Sequence, residues 1–177
     1  MNINKKCLIW AIITAIFALA INAYIIMHSC LDAGQSTEAS RGVIDATEEV
    51  INTVVPNTIT PENHDSFALF IRKAFGHFGL FVISGLLTSL AVFLGFTSFN
   101  NRKYLYMIII SLAVGLSIGI LTEVIQLSVP GRSGEFTDVL IDFSGYVLGF
   151  SIVFLIVFLV LRQHSKKQKQ TNESVTA

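Results

Sequence analysis

Charge is scarce in this chain. Its 177 residues hold 12 Lys+Arg and 12 Asp+Glu, 14% in all, and the formal net charge is zero. Soluble domains carry roughly a quarter charged residues, so an ordinary water-facing surface is excluded. Cysteine is as scarce: Cys7 and Cys30 stand alone, at opposite ends of the first apolar run, too far apart to pair. No CxxC spacing occurs, which removes thiolate metal centres and dithiol redox chemistry. There is no basic stripe of the kind that tracks a phosphate backbone, and nucleic acid is not expected as a partner.

Apolar residues fill the space that charge vacates. They make up 53% of the chain, and the mean hydropathy is +0.67. They are gathered into four runs, at about 8–27, 75–96, 104–127 and 139–161. The first, Leu8 to Met27, is twenty residues, which at 1.5 Å each covers about 30 Å, one hydrocarbon core. It is longer than the apolar region of a cleavable signal and lacks a clean A-x-A site, so a retained anchor is expected. Asn22 is its one strongly polar residue. The fold class that follows is all-α: an integral membrane bundle of four transmembrane helices, one domain over 1–163. A short basic tail, predicted to be disordered, covers 164–177.

Connection charges set the expected direction. Lys5 and Lys6 precede the first run, Arg102 and Lys103 follow the second, and Arg162, Lys166, Lys167 and Lys169 follow the fourth. The segment 28–71 is acidic, with Asp32, Glu38, Asp45, Glu48, Glu49, Glu62 and Asp65 against Arg41. Lysine and arginine favour the cytoplasmic side. Both termini and the 97–103 turn are therefore predicted to be cytoplasmic, and the 28–71 and 128–138 connections external. Within the outer connection, Asp32 to Ser40 reads as loop. Val43, Ile44, Val50, Ile51, Val54 and Val55 have helical spacing and predict one amphipathic helix over 42–55, ended by Pro56. Anionic lipid suits the basic tail as a partner.

The charges that do enter the spans are concentrated. Arg72, Lys73 and His77 stand where the second run begins, Glu123 and Gln126 where the third ends, and Asp138 and Asp142 where the fourth begins. Arg132 lies in the turn between. By the predicted topology these places share one membrane face. Lys73 and His77 are four apart, Glu123 and Gln126 three apart, and Asp138, Asp142, Gly145 and Gly149 form one stripe. The glycines, with Gly76, Gly79, Gly115 and Gly119 on the other spans, predict close helix approach. Glu123 lies inside its apolar run, where a carboxylate calls for a partner or a proton. Two readings stay open: an ion-pair network that fixes helix register, or a pocket that binds or transforms a ligand. With one histidine among the acids, no metal site and no cofactor is predicted.

These residues resemble the VanZ-like family. The resemblance rests on Arg72-Lys73, His77-Phe78, Glu123-x-x-Gln126, Pro130-Gly131-Arg132 and Asp138-Val139-Leu140-Ile141-Asp142 with Gly145. It spans roughly residues 5 to 162. It implies a bacterial cell-envelope membrane protein without an assigned biochemical activity, and the member that gives the family its name lowers susceptibility to teicoplanin in Gram-positive bacteria. It also implies ligand-binding roles for Lys73, His77, Glu123, Gln126, Arg132, Asp138 and Asp142. The chain departs from the family pattern at Leu80 and Phe81, where many members carry an acid and an aromatic. It departs again at Thr122 and Ile125, where many carry an acid and a histidine. Its pocket is less polar for it.

Three functions follow as expectations. The first is a protein that binds or shields an anionic, lipid-linked envelope component, or binds the glycopeptide antibiotic itself, through Arg72, Lys73 and Arg132. The second is an enzyme acting on such a lipid-linked substrate, with His77 or Glu123 as acid or base and Asp142 orienting a partner. The third is a small proton-coupled carrier, for which four spans without an inverted repeat are a thin basis.

Overall fold

The computed structural model describes residues 3–99 and 103–176, and they contain helices and turns but no strand. Helix α1 covers Lys5–Ser29, α2 Ala33–Val54, α3 His64–Ile71, α4 Leu80–Ser98, α5 Tyr104–Gln126 and α6 Phe136–Thr176. Between α3 and α4 the chain stays helical but widens into a π-helical segment, Arg72–Gly79. Four stretches are long and apolar enough to cross a membrane: Lys5–Ser29, His64–Ser98, Tyr104–Gln126 and Phe136–Val160, with mean hydropathies of 2.3, 2.1, 2.3 and 2.5. The protein is a multi-pass membrane protein.

Packing partners give the helix directions. Asn4 N–H donates to the Ser98 carbonyl at 2.9 Å, and Asn22 in mid-α1 hydrogen-bonds Thr88 at 3.3 Å, so α1 and α4 are antiparallel. Gly145 lies against the backbone of Phe78 and Gly149 against that of Val82, so α4 and α6 are parallel. Gly115 lies against the Tyr146 ring and Gly119 near Asp142, which makes α5 antiparallel to α6. The end of α1, the π-helical segment, the end of α5 and the start of α6 therefore meet at one end of the bundle. Large apolar side chains such as Trp10, Leu19 and Leu105, each more than half exposed, form the lipid-facing exterior, while small and polar residues pack between helices.

Several sequence expectations need correction. Asp32–Ser40 is not loop: Asp32 caps α2 by accepting from Gln35 N–H at 2.8 Å, and the Gln35 side chain accepts from Asp32 N–H at 3.2 Å. This reciprocal capping box starts the helix ahead of the apolar pattern. The second span begins near His64 rather than Phe75, because α3 runs unbroken into the π-helical segment. Gly76 and Gly79 make no close interhelical approach: a Cβ at Gly76 meets nothing within 4 Å, and one at Gly79 meets only its own helix, at the Ala74 carbonyl. The backbone of Phe78, between the two glycines, is what meets Gly145 of α6. The backbone of α6 stays helical to Thr176, where the sequence predicts a disordered tail over 164–177; lysine, glutamine and glutamate there are good helix formers. Arg102 and Ala177 lie outside the described residues.

Candidate functional site

The turn between α5 and α6 is built to present Arg132. Val129-Pro130-Gly131-Arg132 closes with Arg132 N–H donating to the Val129 carbonyl at 3.2 Å, and Gly131 has φ +72°. Proline at the second position and a glycine with positive φ at the third define a type II turn. After it, Glu135 and Asp138 open α6. Asp138, in the first turn, sits where the positive end of the helix dipole favours an acid.

On the facing element, the π-helical segment carries Lys73 and His77. Lys73 Nζ donates to Glu135 Oε2 at 3.3 Å and to Asp138 Oδ1. The ammonium beside it holds the exposed Glu135 carboxyl below the usual carboxylate range, chiefly through that hydrogen bond. One turn further in, His77 Nδ1 lies 3.0 Å from Asp142 Oδ1, and His77 Nε2 lies 3.8 Å from Asp138 Oδ2. Asp142 is completely buried, and its second oxygen, Oδ2, has no hydrogen-bond partner. The π turn thus sets a base and an imidazole against two successive acids of α6. Wide turns of this kind recur at functional sites.

These groups line a cavity of about 630 Å³ at this end of the bundle. Arg72, Lys73, His77, Gln126, Arg132, Asp138 and Asp142 all contribute to its wall. Of the candidate residues only Glu123 does not. Glu123 is buried behind the cavity, accepting from Gln126 Nε2 at 3.2 Å and from Glu135 N–H at 2.9 Å. It ties the α5–α6 turn to the end of α5. A ring nitrogen of His77 and one carboxylate oxygen each of Glu123 and Asp142 nonetheless fall within 4.8 Å of one another; the sequence analysis put all three residues at this face and predicted no metal site from them.

Arg72 and Arg132 differ from Lys73. Arg72 Nε and Arg132 Nη1 are buried atoms without a partner, and no ion pair involves either residue among the described residues. The cavity therefore has three cationic side chains, one neutralised by neighbouring acids and two turned to it unpaired. The sequence reading missed His28, at the end of α1, which also lines the cavity. The available signal was parity: a first span ending at that face leaves its last polar residue there. Helix α2 lies over the mouth, contributing Ser36, Thr37, Ser40 and Val43 to the wall and packing Ile44 against Ala68 and Ile71.

Four apolar spans with a charged cavity sunk between their ends define a helical membrane protein whose polar residues converge at one end. The VanZ/LLP1 family model matches residues 12–162, and the chain belongs to that family. No curated protein and no solved structure matches it.

Proposed function

We propose that the cavity end faces the outside of a bacterial cell membrane and binds the phosphate or carboxylate head of an anionic, lipid-linked envelope component. Occupying that head shields it and lowers susceptibility to glycopeptide antibiotics such as teicoplanin. The observation that carries this reading is the pair of buried, unpartnered nitrogens of Arg72 and Arg132 in the cavity wall. A buried charged donor without an acceptor is costly, and an anionic oxygen relieves that cost at both positions. The planar guanidinium fork suits phosphate and carboxylate. Lys73 is already held by Glu135 and Asp138 and contributes field rather than direct contact. The His77–Asp142 pair supports a second reading, acid–base chemistry on the same bound head, in which Asp142 orients the imidazole.

Binding of a polyprenyl phosphate to the purified chain in nanodiscs, followed by native mass spectrometry, tests the reading. Charge-assisted hydrogen bonds contribute about 1.5–3 kcal/mol each, so R72Q/R132Q is expected to weaken binding at least about tenfold. Arg41→Gln, remote on α2 and paired with Glu38 at 3.1 Å, is expected to leave it unchanged. Equal affinity in the wild type and the double variant overturns the reading. A probe released with altered mass replaces it with the enzymatic one. Teicoplanin bound in place of the polyprenyl phosphate makes the antibiotic the ligand.

A further inference from the structure

The anion reading uses the arginine side of the cavity and leaves two buried acids unexplained, Asp142 in the wall and Glu123 behind it. Glu123 and Asp142 are 5% and 0% exposed. No lysine or arginine lies within ion-pair distance of either carboxylate among the described residues, and the imidazole of His77 is what Asp142 meets at 3.0 Å. Two buried carboxylates beside one imidazole in a low-dielectric setting call for protons or a cation between them. Asp142 Oδ2, fully buried in the cavity wall, has no hydrogen-bond partner. We infer that His77 and Asp142 of the cavity wall, together with Glu123 behind it, hold a divalent first-row transition-metal ion, manganese or zinc in kind.

The geometry suits an ion. The three ligand atoms lie within 4.8 Å of one another. With metal–ligand bonds of about 2.0–2.2 Å, two ligands of one ion stand about 3.0 Å apart across an octahedral edge and about 4.2 Å apart across the ion. The 3.0 Å between His77 Nδ1 and Asp142 Oδ1 matches such an edge. No separation exceeds 4.8 Å, about 0.6 Å beyond the widest span across one ion. The surroundings also suit it. Glu123 is oriented by Gln126 Nε2 and Glu135 N–H, each of which uses one lone pair per oxygen and leaves another free. One imidazole with two carboxylates favours a transition-metal ion over magnesium or calcium, which prefer all-oxygen sites. The ion offsets the charge of the two buried carboxylates. The metal site stands whether or not the cavity binds a lipid-linked anion.

The test uses the full chain in detergent, stripped with a chelator and titrated with Mn²⁺ alone, with loss of the free-ion electron paramagnetic resonance signal as readout. One equivalent is expected to bind per chain and to be displaced by Zn²⁺. D142N and H77Q are each expected to weaken binding at least about tenfold. Arg41→Gln, exposed on α2 and paired with Glu38, is expected to leave it unchanged. No uptake of Mn²⁺ or Zn²⁺ by the wild type overturns the inference. So does wild-type affinity in D142N that elutes as a single folded species. A second readout depends on the wild type alone. The bound Mn²⁺ is expected to show electron-spin-echo coupling to a ¹⁴N nucleus, as imidazole ligation requires, and a bound ion without that coupling also overturns it.

Discussion

The two ends of this bundle bury opposite things. One end buries Glu123, Gln126, Asp138 and Asp142 together with Thr122. Towards the other end, Phe93, Met107, Phe150 and Val153 form an apolar core around which Leu90, Val92, Phe96 and Tyr104 gather. Both lie in helices long enough to span, so the difference is not one of solvent. Within a bilayer, apolar packing holds helices by close contact alone, and buried charge works against insertion. The charged end is therefore kept for what it does, and the apolar end and the glycine seam hold it together. That seam runs up α6: Gly149 against Val82, then Gly145 against Phe78 within the π turn, then Asp142 and Asp138 against His77 and Lys73. The same close approach that packs the lower helices sets the height of the acids above.

The strongest way to break this division is to open the seam. A Cβ at Gly149 would overlap the Val82 carbonyl oxygen and come within 2.7 Å of Leu86 N. Both obstacles are backbone and cannot turn aside. Gly149→Val is expected to cost about 3 kcal/mol or more, beyond ordinary overpacking, and to remove the monodisperse peak in detergent chromatography. Gly95→Ala meets nothing within 4 Å and is expected to be silent. If Gly149→Val retains the wild-type melting temperature, the seam does not hold the two ends in register.

A smaller effect separates the charge of Glu123 from its shape. Its carboxylate accepts the Glu135 N–H across the turn. Glu123→Ala leaves that donor and Gln126 without their acceptor and opens a void, for an expected loss of about 2–3 kcal/mol. Glu123→Gln keeps an acceptor in the same place and removes a buried charge, so it is expected to cost less than about 1 kcal/mol. Melting temperatures of the two variants in the same detergent, without added metal, provide the check. Equal losses would mean that the charge itself, rather than the acceptor, holds the turn.

Which parts of this were legible in the sequence follows from length scale. Spans are written in runs of about twenty apolar residues, and the third was placed at Tyr104 to Leu127 against an observed end at Gln126. The α6 stripe was legible because an ideal helix repeats every 3.6 residues. The convergence of Arg72, Lys73, His77, Gln126, Arg132, Asp138 and Asp142 on one cavity followed from connection parity alone. Two features were not read. The start of α2 reads as loop in the sequence because Gly34, Ser36, Thr37 and Ser40 lower helix propensity, although Asp32-x-x-Gln35 is a readable cap. The π turn leaves no hydropathy trace, since it shifts register without changing composition. The place of Glu123 behind the cavity wall depends on a hydrogen bond twelve residues along the chain, which no helical period contains.

The smallest expected effect lies at the rim, where the charged end meets water. Lys73 bridges Glu135, whose side chain is 49% exposed, and Asp138, at 10%. Exposed pairs contribute little and are screened by salt. Glu135→Gln is expected to lower stability by less than about 1 kcal/mol at low ionic strength, with the difference fading at 0.5 M salt. Asp138→Asn removes the buried partner of the same lysine, and its effect is expected to be larger and to persist in salt, because little solvent reaches that carboxylate. Melting curves of both variants at low and high salt decide the matter. If the Asp138→Asn loss fades with salt as the Glu135→Gln loss does, the acids of α6 are open to water along their length, and the boundary between a solvated rim and a buried floor disappears.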